Sequence, residues 1–146
     1  MHSPPDAAAP VRFDTKVVVL LRDGLLRWQE LNVTAFLMSA IATSEPHLVG
    51  ETYRDADGND YLPMLRQPVM VMTADGATLA AARTRALGRG VALAIYTEDL
   101  FSTGHDAANR AAVAAVAAAE LNLVGVAVRG PRNAVDRIVK GAGLHA

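Results

Sequence analysis

Four short stretches of the chain are almost wholly apolar and lack the alternation of polar and apolar positions that marks a strand with one wet face. They are VVVLL at 17–21, PVMVMT at 68–73, VALAIY at 91–96 and LVGVAV at 123–128. A strand has this pattern when both faces of its sheet are covered. The pattern therefore predicts four central strands with helices on both faces.

The segments between these runs have helical character. Residues 28–42 are apolar around most of the helix circumference, which predicts a largely buried helix, and residues 75–90 and 107–120 are rich in helix-favouring alanine. Asp75 and Asp106 stand at the start of the last two segments. Since an aspartate side chain can accept a hydrogen bond from a free N–H of the first helical turn, we predict that both cap their helices. A fourth helix is predicted after the Gly130-Pro131 turn.

One insertion, residues 51–64, interrupts the alternation of strands and helices. It places Asp57-Gly58 between segments that contain Tyr53 and Tyr61. This is a hairpin signal because glycine accepts the positive φ of a tight turn. We expect a hairpin that projects from the body as a flap or an extra sheet edge.

Length and composition narrow the class of protein. The 146 residues suit one domain, and we expect a flexible tail over 1–12 and a single α/β domain over 13–146. The absence of cysteine excludes disulfides and thiolate chemistry, and the net charge of -1 argues against a general nucleic-acid binder. No apolar run approaches the roughly 18 residues that span a bilayer, so we expect a soluble, cytoplasmic protein without membrane contact.

The loop YTEDLFSTGHD at 96–106 concentrates candidate chemistry. Tyr96, Thr97 and Glu98 follow the third strand directly, and ligands of α/β sheets gather at strand ends. Glu98 with His105 suits general acid and base catalysis because histidine titrates near neutrality. The alternative is that these residues only end the strand and lead into the capped start of the next helix. Their spacing matches no established metal-binding loop, so neither a metal nor a cofactor is expected.

Arg66 and Gln67 are candidate ligand contacts at the end of the hairpin insertion. The planar guanidinium of an arginine can hold a carboxylate or a phosphate through two parallel hydrogen bonds. In the alternative interpretation, Arg66 pairs with Asp60 or Glu51 and only pins the hairpin.

Asn32 and Thr34 are polar residues on the otherwise apolar first helix. Buried polar groups need hydrogen-bond partners. They therefore either bond to the backbone of a neighbouring strand or line a pocket that they share with Glu98.

Four blocks of the sequence carry a family resemblance: WQELNVTAFL (28–37), GETYRDADGNDYLPMLRQPV (50–69), YTEDLFSTGHDAANRAAVA (96–114) and VGVAVRGPRNAVDRIVKGA (124–142). They resemble a bacterial family of domains of unknown function, the DUF2000 family, from about Asp14 to His145. That family is grouped structurally with the type II peptidyl-tRNA hydrolases. The segments VVVLLRDGL and VGVAVRGPRNAVDRIV are similar to the first and the closing strands of those hydrolases.

The resemblance to the hydrolases implies a mixed sheet with helices on both faces and a homodimer. The hydrolases use a lysine at the start of their first long helix, and Glu30 aligns with it, which reverses the charge. Their acidic residue after the third long strand aligns with Glu98, and their helical glutamine aligns with Thr34. The hairpin at 51–64 has no counterpart in the hydrolases.

Together, the pattern and the resemblance predict an α/β domain with a mixed, mostly parallel sheet of about four main strands, helices on both faces, a hairpin insertion and a type II peptidyl-tRNA hydrolase-like fold. We expect the protein to bind a small polar or anionic ligand under the hairpin, in a pocket lined by Arg66, Gln67, Thr34, Thr97 and Glu98. One alternative is a hydrolase of an ester or amide that uses Glu98 and His105. The other is a dimeric interaction module whose pocket is vestigial.

Overall fold

The computed structural model describes residues 11–146, so the tail predicted at 1–12 lies almost wholly outside the described residues. The strands are β1 (Thr15–Arg22), β2 (Tyr53–Arg54), β3 (Asp60–Tyr61), β4 (Val69–Ala74), β5 (Ala92–Thr97), β6 (Leu123–Pro131) and β7 (Gly143–Leu144). The α-helices are α1 (Arg27–Ala42), α2 (Gly76–Arg89), α3 (Asp106–Ala114) and α4 (Arg132–Ile138). Two short 3₁₀ helices cover Glu98–Ser102 and Ala118–Glu120.

The main sheet has five strands in the order β5-β6-β1-β4-β7. Its α/β class is as predicted, but the expectation of a mostly parallel sheet is wrong. Only β1 and β4 run parallel, while β6 lies antiparallel to both β1 and β5, and β7 lies antiparallel to β4. An unbroken apolar run shows that both faces of a strand are covered. It carries no information about the direction of the neighbouring strand, and this is why the prediction failed.

The side chains of β1 divide the core into two layers. Val18 and Leu20 face α2 and α4, whereas Val17, Val19 and Leu21 face α1. All five side chains are at most 1% exposed, since successive residues of a strand point to opposite faces and both faces are covered. The predicted covering of both faces is confirmed.

The helix α1 packs closely on β6 because Gly125 lacks a side chain. A β-carbon at this position would lie 2.6 Å from Cγ1 of Val33 and 3.0 Å from Cδ1 of Leu37, both on α1. The expectation that α1 is largely buried is wrong for its outer face, where Trp28 and Phe36 are 57% and 51% exposed. On this side α1 is only partly covered, by the 3₁₀ helix Glu98–Ser102, where the rings of Trp28 and Phe101 meet.

Of the two predicted N-caps, the one at α2 forms and the one at α3 does not. Asp75 caps α2, with Oδ1 accepting the N–H of Thr78 at 2.8 Å, as predicted. The cap predicted for Asp106 is wrong, because the chain is still extended at His105, and Asp106 is already the first residue of α3. The predicted helix over 107–120 ends at Ala114. Alanine favours the helix but buries little area, and no residue of α3 is buried.

The predicted hairpin forms at residues 53–61 as a separate two-stranded sheet of β2 and β3. Its turn places Gly58 at φ 87°, the region that glycine reaches without strain. The carboxylate of Asp55 accepts hydrogen bonds from the Tyr61 hydroxyl at 2.7 Å and from the backbone and side chain of Asn59. The hairpin is therefore held by its own polar network and does not extend the main sheet.

The strand β7 was not predicted from the sequence. It pairs through only two residues, Gly143 and Leu144, with Thr73 and Met72 of β4. Two residues are too few for a periodic signal.

Within residues 11–146, no helix is long and apolar enough to cross a membrane.

Candidate functional site

A continuous groove runs between α1 and α3, over the end of β5 and the turn at 98–102. It consists of two adjoining cavities of about 380 and 520 Å³. Both are lined by Phe36, Tyr96, Leu100, Asp106 and Asn109. We call this feature the α1–α3 groove. Its volume falls in the range of roughly 300–1,000 Å³ that is usual for small-molecule sites.

Four aromatic side chains form a connected cluster along the groove. The ring of Tyr96 lies 5.3 Å from that of Phe101 and 5.9 Å from that of Phe36, and Trp28 meets Phe101 edge-on at 5.7 Å between centroids. These spacings are typical of favourable aromatic pairs. Because Trp28 and Phe36 are both more than half exposed, the cluster presents ring surface to a molecule in the groove.

Asn32 and Tyr96 place polar groups beside this aromatic surface. Nδ2 of Asn32 donates a hydrogen bond to the Tyr96 hydroxyl oxygen at 3.3 Å, and both residues line the smaller cavity. Burial raises the pKa of the Tyr96 hydroxyl, while the bond from Asn32 opposes this shift. The phenol is therefore neutral at physiological pH and can act as a hydrogen-bond donor.

His105 lines the groove and also caps α3. Its Nδ1 accepts the backbone N–H of Ala108 at 3.3 Å. A neutral imidazole whose Nδ1 accepts a hydrogen bond carries its proton on Nε2. His105 is thus arranged as a donor at Nε2, whereas a general base needs a free acceptor nitrogen. Asp106, the next residue, forms an ion pair with Arg110 one turn further along α3.

Glu98 lies outside the α1–α3 groove in an ion-pair cluster. Its Oε2 accepts from Nη2 of Arg22 at 2.9 Å and from Nδ2 of Asn122 at 3.2 Å, and Nη1 of Arg22 also donates to Asn122. This cluster ties together the ends of β1 and β5 and the start of β6. Glu98 and His105, which the sequence paired as acid and base, do not line a common cavity with one another in the described chain.

Thr97 occupies a third environment, directly between the groove residue Tyr96 and the ion-paired Glu98. Its side chain is 1% exposed, and its hydroxyl has no hydrogen-bond partner among residues 11–146. It is not among the residues that line the α1–α3 groove.

Arg66 and Gln67 diverge although they are neighbours in the sequence. Arg66 faces a cavity of about 570 Å³ at the base of the hairpin. Gln67 instead faces Thr15 at the start of β1, where its Oε1 accepts from the Thr15 hydroxyl and its Nε2 donates to the Thr15 carbonyl, each at 3.1 Å. Gln67 thereby ties the end of the insertion to the first strand.

Thr34 and Glu30 lie on the opposite flank of α1. The Thr34 hydroxyl donates to the Glu30 carbonyl at 2.8 Å, the local bond that is common for threonine inside a helix. Both residues line a cavity of about 610 Å³ next to the chain end, where the carboxylate of Glu30 pairs with His145. The carbonyl of Ala146 and the carboxylate of Glu30 raise the pKa of the His145 imidazole.

The residues expected to share one pocket, Arg66, Gln67, Thr34, Thr97 and Glu98, therefore do not line a common cavity. Of the other candidate residues, Asn32, Tyr96 and His105 line one cavity together. Sequence reasoning missed Trp28, Phe36 and Phe101 as site residues. A usable signal was present, since α1 is apolar all round, and such a helix is either fully buried or exposes an apolar face to a partner.

Comparison with known proteins agrees with this fold. Residues 15–146 match the family model described as "Protein of unknown function (DUF2000)". A solved structure of a protein of unknown function from Agrobacterium tumefaciens strain C58 is similar at a TM-score of 0.89. It shares 47% sequence identity, and the match covers 92% of this chain and all of that one. No curated protein matches the chain significantly.

Proposed function

The chain belongs to the DUF2000 family of proteins of unknown function, and we propose that it is a binding protein whose α1–α3 groove takes up a small, flat ligand with a polar end. The observation that carries this proposal is the half-exposed aromatic cluster around the hydrogen-bonded pair of Asn32 and Tyr96.

The walls of the groove favour a flat apolar body. Trp28 and Phe36 are more than half exposed on α1 and stand beside the buried ring of Tyr96. Covering such rings with a planar ligand removes apolar area from water and adds favourable ring contacts. The facing wall, α3, has no buried residue and packs chiefly on the turn at 98–102.

The polar groups of the groove favour a ligand that accepts hydrogen bonds. Asn32 and the Nε2–H of His105 are donors at the cavity with the Trp28 ring. A ring with a carbonyl oxygen or an unprotonated ring nitrogen matches them. Nicotinamide and adenine are simple probes of this class, and cyclohexanecarboxamide has the same amide without the flat ring.

Intrinsic fluorescence tests the proposal directly because Trp28 is the single tryptophan of the chain and lines the groove. We expect saturable changes in Trp28 emission with nicotinamide or adenine and none with cyclohexanecarboxamide. Phe36→Ala and Asn32→Leu should each weaken binding about tenfold, since each removes one ring or one donor. Leu87→Ala, at an exposed position of α2, is the matched control and should change nothing. Equal affinity in all four proteins, or no saturable response, contradicts the proposal.

Two observations weigh against the hydrolase alternative. Glu30, which aligns with the lysine of the type II peptidyl-tRNA hydrolases, pairs with His145, and Glu98 is held by Arg22 and Asn122. Both carboxylates are thus engaged in ion pairs, and neither lines the α1–α3 groove. We expect peptidyl-tRNA to remain intact in the presence of the protein. Turnover that is lost in Glu98→Ala but kept in Glu120→Ala would restore the hydrolase alternative.

A further inference from the structure

The cavity at the base of the hairpin presents two opposite charges that pair with no other side chain in the described chain. It has a volume of about 570 Å³, and its polar side chains are those of His47, Glu51, Tyr53 and Arg66. Neither Glu51 nor Arg66 takes part in an ion pair within residues 11–146. The alternative in which Arg66 pins the hairpin through Asp60 is not realised, because Asp60 pairs with Arg54 at 2.7 Å.

The backbone around Arg66 is fixed from both sides. The Arg66 N–H donates to the Leu48 carbonyl and the Gly50 N–H donates to the Met64 carbonyl, both at 2.9 Å. The side-chain stem of Arg66 lies on Gly50, where a β-carbon would come within 3.1 Å of its Cγ. Gly50 thus makes the room that the arginine stem occupies, and the base of the hairpin positions the guanidinium at the cavity.

We propose that this cavity binds a zwitterion of the α-amino acid type, with its carboxylate on Arg66 and its ammonium group on Glu51. The guanidinium of an arginine holds a carboxylate through two parallel hydrogen bonds. A carboxylate is the natural partner of an ammonium group, and the face of the Tyr53 ring, 48% exposed at the same cavity, adds attraction for the cation.

The charge pattern favours a zwitterion over a simple anion. An anion on Arg66 would be repelled by Glu51 in the same cavity, whereas a molecule with both charges satisfies both side chains. The inference is independent of the α1–α3 groove, since no residue is common to the linings of the two.

NMR titration of the ¹⁵N-labelled full chain tests this site. We expect at least one of the common L-amino acids, at millimolar concentration, to shift the amide signals of Gly50 and Arg66 in a saturable way. The amide and the N-acetyl derivative of that amino acid each lack one charge, so each should bind about tenfold more weakly or worse. Arg66→Gln and Glu51→Gln should have the same effect, while the exposed controls Arg137→Gln and Glu120→Gln should leave the affinity unchanged.

Gly50→Ala provides a test in which no charge is altered. Its β-carbon displaces the stem of Arg66, and we expect weaker amino-acid binding with a folded spectrum retained. The proposal is overturned if no amino acid shifts these signals. It is equally overturned if the N-acetyl derivative binds as well as the amino acid, or if Glu51→Gln binds more tightly, since either result describes a simple anion site.

Discussion

The side-chain amide of Asn32, on α1, donates a hydrogen bond across 3.3 Å to the hydroxyl of Tyr96, at the end of β5. This bond joins two residues that lie 64 positions apart in the sequence, and it fixes the polar end of the α1–α3 groove. Tyr96 is 4% exposed, so its hydroxyl depends on this bond more than a surface hydroxyl would.

Tyr96→Phe removes the hydroxyl and leaves the ring in place. We expect a loss of about 0.5–1.5 kcal/mol in the free energy of unfolding, the usual net value of one hydrogen bond. Urea denaturation measures it, and Tyr53→Phe, at an exposed hairpin position, is the matched control with no expected loss. An unchanged stability in Tyr96→Phe would show that the bond contributes nothing.

Substitutions of the two residues at the start of α3 should differ in how much they destabilise the helix. His105→Ala should destabilise α3 by about 0.5–2 kcal/mol because it removes the N-cap, and His105→Asn should recover most of this loss. Asp106→Ala should cost only about 0.3–1 kcal/mol, the value of a favourable charge in the first turn. Hydrogen exchange of the amides in 106–114 measures both. A larger effect for Asp106→Ala would reinstate Asp106 as the cap.

Two glycine substitutions test the packing of α1 on the sheet. Gly125→Ala should cost about 1–3 kcal/mol, because its β-carbon would lie 2.6 Å from Val33 in a filled core. Gly88→Ala, in α2 with open space around it, should instead gain about 0.5–1 kcal/mol through helix propensity. Thermal unfolding followed by circular dichroism compares the two. If both alanines stabilise the protein, α1 does not pack as closely on β6 as described.

The hairpin should respond to acid. The Tyr61 hydroxyl, followed by the side chain and backbone of Asn59, lowers the pKa of Asp55 from 3.8 to about 2. Because the pKa of Asp55 is lower in the folded hairpin than in the unfolded chain, the ionised Asp55 carboxylate stabilises the hairpin. This stabilisation is complete above pH 3.8 and is lost as the pH falls towards 2. Carbon-detected NMR of the Asp55 carboxyl group measures this pKa. Tyr61→Phe should raise it, whereas Tyr53→Phe, on the opposing strand, should not.

The contact of His145 with Glu30 near the end of the chain should have the opposite pH dependence, with stability lost as the pH rises. The Ala146 carbonyl and, after it, the Glu30 carboxylate raise the pKa of His145 above its ordinary value of 6.5. The stabilisation is therefore complete below pH 6.5 and is lost as the pH rises through the folded-state pKa. A proton NMR titration of the His145 ring should show a lower pKa in Glu30→Gln. An identical titration curve in that variant would exclude the pairing.

The positions of the main strands could be predicted because each is a short apolar run, and burial on both faces leaves that mark in the sequence. Their directions could not, since β6 enters between β5 and β1 through contacts that are distant along the chain. The same limit applies to the candidate site. Glu98 and His105 are only seven residues apart in the sequence. Glu98 nevertheless forms an ion pair with Arg22, 76 residues away, and no local sequence pattern predicts that pair.

The aromatic face of the groove left only an indirect signal in the sequence, a first helix that is apolar around most of its circumference. Trp28 and Phe36 are of residue types that are usually found in the core. Only the structure shows that both side chains on α1 are about half exposed. In contrast, the hairpin was predictable from the local sequence. Its tight turn requires a positive φ, and Gly58 in the Asp57-Gly58 pair adopts it.

Binding of a flat ligand in the α1–α3 groove can be followed in one NMR titration of the ¹⁵N-labelled chain with nicotinamide. We expect saturable shifts of the Trp28 indole N–H and of the Asn32 side-chain amide, both of which line the groove, with the signals of Gly50 and Arg66 at the hairpin unmoved. Shifts that centre on the hairpin, or a spectrum that does not change at saturating ligand, would contradict it.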